Sequence, residues 1–194
     1  DCVVCGSCVV DILVRPVPLE TAIGGGRLVA VDPIEVTTGG IVSNAGIAMS
    51  RLGMTASALS YIGNDQWGDL LRDRYRQEGL GFENLVTHPQ APTSTTAVLI
   101  DEGGERSFAH CVGAPEKMDR SFFLDRIELF AASRMMLLGY YSLLPNLQKD
   151  LAEVFAEIRK QGCLTALDAA GDGGSLQPLD MILPHLDIYV PSHA

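Results

Sequence analysis

The residues best suited to chemistry form one run, Thr38-Gly39-Gly40-Ile41-Val42-Ser43-Asn44-Ala45-Gly46. Two adjacent glycines ahead of a helix let the backbone approach a ligand closely and aim unpaired N–H groups at its oxygens. Asn44, in the first helical turn, adds an amide that both donates to and accepts from a hydroxyl. A ligand rich in hydroxyl groups suits that pairing. An ordinary loop is the competing reading, because glycines before a helix are commonplace.

Other reactive side chains are more dispersed. Cys2, Cys5 and Cys8 have a spacing that on a loop would suggest zinc or an iron–sulfur cluster. Here they lie in an extended Val-rich segment whose side chains alternate faces, so Cys5 points away from the other two. Cys111 and Cys163 sit on distant elements, and buried structural thiols with no metal are expected. His88, His185 and His193 show no metal-ligand spacing. His110 either touches a ligand or is a plain strand histidine. Tyr140 and Tyr141, just past a buried strand, either line a binding pocket or serve packing.

The elements that position these residues alternate between strand-length apolar runs and segments of helical period, the pattern of a mostly parallel sheet covered by helices. Strands are expected at Cys2 to Cys8, Ala56 to Ile62, Arg134 to Leu138, Cys163 to Leu167 and Ile188 to Val190. Ile41, Ala45, Ala48, Met49 and Leu52 recur at helical spacing, and Gly53 stands where a C-terminal cap belongs. Asp65 is a good N-cap for a helix to about Glu78, closed by Gly79. A further helix is expected from about Leu147, capped by Asn146 and ended by Gly162, and a short one after Pro178. Four extended runs break the rhythm: Ile12 to Pro18 and Arg27 to Val36 around Gly24, Gly25 and Gly26, and Thr95 to Ile100 and Ser107 to Val112 around a polar turn. They are expected to form a small β-sheet projecting from the main domain.

With 194 residues, one substantial core is expected. Fourteen Lys and Arg against 24 Asp and Glu give a formal charge of −10. Nucleic acid and anionic membranes need clustered positive charge, so neither is expected as a partner. The most apolar internal stretch, Met135 to Pro145, is broken by Gly139 and Ser142 and falls short of the ~20 residues of a membrane helix. No secretory leader pattern opens the chain, and five cysteines fit a reducing compartment, so a cytoplasmic location is expected.

The joint spacing then adds a family resemblance. Asn44 lies four residues after Gly40, Gly53 nine after Asn44, and Gly63 ten after that, which resembles the first signature region of the PfkB, or ribokinase-like, carbohydrate kinases. Gly6-Ser7 and then Asp11 resemble the family's first strand and the carboxylate beyond it that binds sugar hydroxyls. Gly63-Asn64-Asp65 with Gly68 resembles its Gly-x-Asp-x-x-Gly segment; Thr95, Thr96 and Ala97 with Gly104-Glu105-Arg106 resemble its lid; and Asp187 to Ser192 resembles the strand leading to its phosphate end. Val42 and Gly46 depart from the strict signature, which puts ribose in question more than sugar phosphorylation, and Ser192 departs from the Asn usual at the phosphate end.

The resemblance implies a Rossmann-like three-layer α/β/α domain over residues 1–194, C-terminally incomplete, with a β-sheet lid formed by about 12–36 and 95–112. It implies transfer of the γ-phosphoryl of ATP, with Mg2+, to a hydroxyl of a small sugar, polyol or nucleoside, and a homodimer paired through the lid. Asp11, Gly39, Gly40 and Asn44 are the implied sugar contacts, Thr96 and His110 further contacts from the lid, and Ser192 a residue of the phosphate end. Asp168, at a strand end, either helps hold the phosphates through Mg2+ or water or caps a turn. The family's catalytic Asp stands in a Gly-Ala-Gly-Asp motif that does not occur here. Gly171-Asp172-Gly173-Gly174 is read as a loop, and the catalytic Asp is expected beyond Ala194, so this stretch alone is expected to be inactive. The alternative is a non-catalytic sugar-binding or regulatory module of the same fold.

Overall fold

The structure, a computed structural model, describes residues 1–20, 26, 28–169 and 179–191. In chain order its elements are β1 (Cys2–Gly6), β2 (Val9–Val14), β3 (Glu35–Gly39), α1 (Gly40–Arg51), β4 (Ala56–Ile62), α2 (Gln66–Glu78), β5 (Leu85–Thr87), β6 (Ser94–Ile100), β7 (Arg106–Cys111), α3 (Arg120–Leu124), α4 (Ile127–Ala131), β8 (Met135–Gly139), α5 (Leu151–Lys160), β9 (Leu164–Asp168), α6 (Leu179–Ile182) and β10 (Ile188–Val190).

Six strands form one sheet in the order β10-β9-β8-β1-β4-β5, and every pairing within it is parallel. A parallel sheet must be covered on both faces, and the residue pattern of β1 provides for this. Cys2 and Val4 pack with Ile41, Val42, Ile47, Leu71 and Tyr75 of α1 and α2. Val3 and Cys5 face Phe122, Phe123, Phe130 and the Leu151, Val154, Phe155 and Ile158 stripe of α3 to α5. The result is a three-layer α/β/α arrangement. Cys5 is thereby separated from Cys2 and Cys8, as strand alternation requires.

The order of the sheet fixes where a ligand belongs. From β1 the chain first builds outward through β4 and β5, then returns to the other side of β1 with β8 and continues through β9 and β10. The connections therefore diverge between β1 and β8. In open parallel sheets, a crevice opens at the carboxyl ends of the two strands where the order reverses, here Gly6 and Gly139, which are paired.

A second sheet of four strands, β3-β2-β6-β7, leaves from that same edge. β2 starts three residues after β1 ends, and β3 runs directly into α1. The joint between the sheets is braced by Asp65: its carboxylate accepts from the N–H of Gly68 at 2.9 Å, the N–H of Thr93 at 2.8 Å and the hydroxyl of Thr93 at 2.6 Å. One side chain thus caps α2 and ties it to the segment entering β6.

Several expected boundaries move. The strand expected over Cys2 to Cys8 stops at Gly6, whose φ of 126° breaks it, and a new strand starts at Val9. The extended run expected over 27–36 is a strand only from Glu35, and that strand continues to Gly39; among the described residues 28–34 are irregular, and Gly24 and Gly25 lie outside them. The helix expected from Leu147 starts at Leu151 after a short 3-10 turn, because the Asn146 amide donates to the Glu116 carbonyl at 2.9 Å instead of capping. β5, α3 and α4 were not foreseen.

Asp65 generates a testable consequence. Burial opposes its charge, but the Thr93 and Gly68 donors outweigh burial and leave its carboxyl below the ordinary aspartate range. A depressed folded-state pKa contributes stability above the unfolded value that is lost as pH falls through the folded one. Replacing Asp65 with Ala should cost about 1–2 kcal/mol at pH 7, the range for a lost N-cap. The difference in melting temperature from the parent should shrink as the pH is lowered below 4.

Candidate functional site

The glycine pair marks a place where no side chain fits. Gly39 ends β3 and caps α1 with extended backbone, and a Cβ there would overlap the Asp11 carboxylate. Gly40 has a φ of 77°, and a Cβ there would overlap the Ser7 carbonyl. Ser7 also accepts from the Val42 N–H at 3.2 Å, so the exit of β1 is stitched to the first turn of α1. At the neighbouring strand ends, a Cβ on Gly139 would overlap Ile41, and one on Gly6 would meet the Gly139 carbonyl. The start of α1 is thus pressed onto the β1–β8 crevice.

Above it, the second sheet presents a row of polar side chains. Asp11 is in register with Thr37 on one side and Thr96 on the other, and Thr96 with His110. Residues in register share a face of the sheet, so Thr37, Asp11, Thr96 and His110 form one transverse line. The buried Thr96 stands between its neighbours: its side chain acts on the Asp11 carboxyl, and its hydroxyl lies 2.9 Å from His110 Nδ1. Burial raises the Asp11 carboxyl above its usual value against the opposing effects of Thr96 and His110. Burial likewise lowers the His110 imidazole, with Asp11 pulling it back up.

Asn44 stands on the exposed face of α1, and its side chain acts on the hydroxyl of Tyr140. Tyr140, the residue after β8, is half-buried. Among the described residues it is the only non-glycine with positive φ, 58°, a conformation that costs an L-residue on the order of 1 kcal/mol. Its N–H donates to the Asp168 carbonyl at 3.2 Å, and Asp168 is in register with Gly139 at the end of β9. Burial, together with the charges of Asp168 and Asp11, raises the phenol above the ordinary tyrosine range, while Asn44 moderates the effect.

Asp11, Gly39, Gly40, Asn44, Thr96, His110 and Asp168 therefore gather around one crevice. Ser192 and the Gly171-to-Gly174 run lie outside the described residues. The two tyrosines part: Tyr140 faces the crevice and Tyr141 is buried in the core. Thr37 went unnoticed in the sequence because its place depends on strand register. All five cysteines are free thiols. Burial pushes Cys2 and Cys8 up to about 11 and Cys5 well above the usual thiol range. Among the described residues, no three His, Cys, Asp or Glu side chains converge as a metal site, and no helix is long and apolar enough to cross a membrane.

The Asp11–His110 relation is directly measurable. Asp11→Asn removes the charge that supports the imidazolium, so the His110 pKa should fall further below its ordinary value. An NMR titration of the ring protons checks this, and an unmoved or rising value contradicts the described row.

The profile described as pfkB family carbohydrate kinase matches residues 1–194. A fructokinase of Vibrio alginolyticus is 35% identical over 74 residues, 38% of this chain and 24% of that protein. The Escherichia coli K12 sugar kinase YegV is 26% identical over 137 residues, 71% of this chain and 41% of that protein. The crystal structure of a Xylella fastidiosa fructokinase with bound ATP superposes with a TM-score of 0.75 at 20% identity, over 97% of this chain and 60% of that one. The fold is thus ribokinase-like, and the chain spans less than two thirds of each of these proteins.

Proposed function

The chain belongs to the pfkB family of carbohydrate kinases, and on that premise we propose that the complete protein carrying it phosphorylates a hydroxyl of a small sugar, polyol or nucleoside at the expense of ATP. The observation that carries the proposal is the convergence of Asp11, Gly39, Gly40 and Asn44 at the β1–β8 switch point. A sugar needs many directional partners in a small space. The Asp11 carboxylate accepts from two hydroxyls, the Asn44 amide donates and accepts, and the glycine backbone comes close enough for main-chain contact.

In this reading the second sheet, β3-β2-β6-β7, belongs to the lid expected over about 12–36 and 95–112, and its Thr96 and His110 close over the sugar. Its outer strands also offer apolar surface, with Phe108 59% and Val36 46% exposed; we assign these strands to pairing with a second copy of the chain. We assign Asp168 to the phosphate end; Ser192, expected there too, lies outside the described residues.

Phosphoryl transfer depends chiefly on positioning and on stabilising the equatorial oxygens, with a carboxylate taking the hydroxyl proton. ATP supplies the γ-phosphoryl group. The residues present do not by themselves fit a protein-held Mg2+, since no three ligating side chains cluster among those described; phosphate oxygens and water would supply most of its coordination. No Gly-Ala-Gly-Asp occurs within the 194 residues. We assign the proton acceptor to a part of the protein outside them. The work of these residues is to bind and orient the acceptor.

In the complete protein, Asp11→Ala and Asn44→Ala should each raise the KM for the sugar at least tenfold, about 1.4 kcal/mol, with the melting temperature held within two or three degrees. Steady-state kinetics across fructose, ribose and related sugars test this. Unchanged sugar KM in both variants would remove the assignment.

A further inference from the structure

We infer that Tyr140 is a positioning residue for sugar binding, its hydroxyl fixing the orientation of the Asn44 amide and its ring forming the wall against which the sugar's C–H face rests. The inference rests on the sugar-kinase reading above and extends it to a residue outside the glycine and carboxylate motifs.

Four observations converge. Tyr140 is the first side chain past the carboxyl end of β8, beside the paired glycines Gly6 and Gly139 that leave the crevice open. Its backbone is held in the left-handed region at φ 58°, where glycine would be comfortable. A tyrosine kept in a glycine conformation is more readily explained by a need for its side chain than for its backbone. The N–H bond to the Asp168 carbonyl at 3.2 Å clamps that conformation between β8 and β9. Its ring packs against the α1-side core, and its hydroxyl lies close enough to the Asn44 side chain to be influenced by it.

The chemistry follows from donor counting. Near the carboxylates of Asp11 and Asp168 the phenol stays protonated at neutral pH, as its raised pKa indicates. A phenol is both donor and acceptor, so it can secure either end of the Asn44 amide and leaves the other end for a substrate hydroxyl. An unsecured amide on the exposed face of a helix would sample several rotamers. The ring supplies what Asp11, Asn44 and Thr96 cannot, an apolar surface matched to the C–H face of a furanose or pyranose.

The left-handed backbone makes the test clean. Tyr140→Gly relieves the φ 58° backbone, which offsets part of the packing and chain entropy it loses, so it should still fold with a modestly lowered melting temperature, while Tyr140→Phe keeps the ring and removes only the hydroxyl. In the complete protein, assayed with D-fructose and D-ribose, Tyr140→Phe should raise the sugar KM about fivefold and Tyr140→Gly at least 30-fold. The KM for ATP should stay within twofold in both. In an Asn44→Ala background, Tyr140→Phe should add nothing, since its hydroxyl acts through Asn44. Sugar KM values within twofold of the parent in both variants would overturn the inference, as would additivity with Asn44→Ala. Those results would leave the kinase reading standing; a parent protein that phosphorylates no sugar would remove both.

Discussion

The architecture of the site depends on one steric constraint, the close approach of backbone to backbone where α1 starts against the ends of β1 and β8. At Gly6, Gly39, Gly40 and Gly139 an added Cβ would collide with a carbonyl, a carboxylate or Ile41. Those collisions describe how tightly the layers meet. Because the main chain itself forms the floor, Asp11 can lie against the β3–α1 junction, and the polar row of the second sheet stands directly over the crevice. Any side chain at Gly39 would separate the carboxylate from the helix it faces.

The rest of the fold serves that junction. Two hydrophobic layers grip the parallel sheet, and α1 is fixed to α2 inside one of them by the buried Ser43–Tyr75 hydrogen bond of 2.7 Å. Ser43 is adjacent to Asn44, so the bond that anchors the helix on its buried side sets the azimuth of the amide on its exposed side. At the other seam, Asp65 and Thr93 lock α2 to the chain that enters β6. The second sheet is thus tethered through β1–β2, β3–α1 and the Thr93 joint. That arrangement holds Asp11 and Thr96 in register while leaving β3 and β7 as edges.

Much of this was legible in the sequence where the signal is local. The Gly39-Gly40 pair, the apolar spacing of α1, the Asp65 cap and the closing Gly79 all appear where capping and periodicity place them. Strand alternation separated Cys5 from Cys2 and Cys8. The signal failed where structure depends on partners distant in the chain. The break at Gly6 is forced by Gly139 and Ile41, more than 30 residues away, and nothing in the run Cys2 to Cys8 announces it. Asn146 looks like a cap but is drawn to the Glu116 carbonyl. Tyr140 and Tyr141 are indistinguishable as a dipeptide; the left-handed turn at Tyr140 sends one ring to the crevice and the other to the core.

The most direct measurement is hydrogen–deuterium exchange of the complete protein with and without D-fructose or D-ribose at saturating concentration. Sugar bound at the β1–β8 switch point should slow exchange in peptides spanning residues 6–11, 37–46 and 138–141, and leave the amides of α5 and β10 unchanged. Protection confined to other segments, with these three unaffected, would show that the glycine-floored crevice is not where the sugar binds.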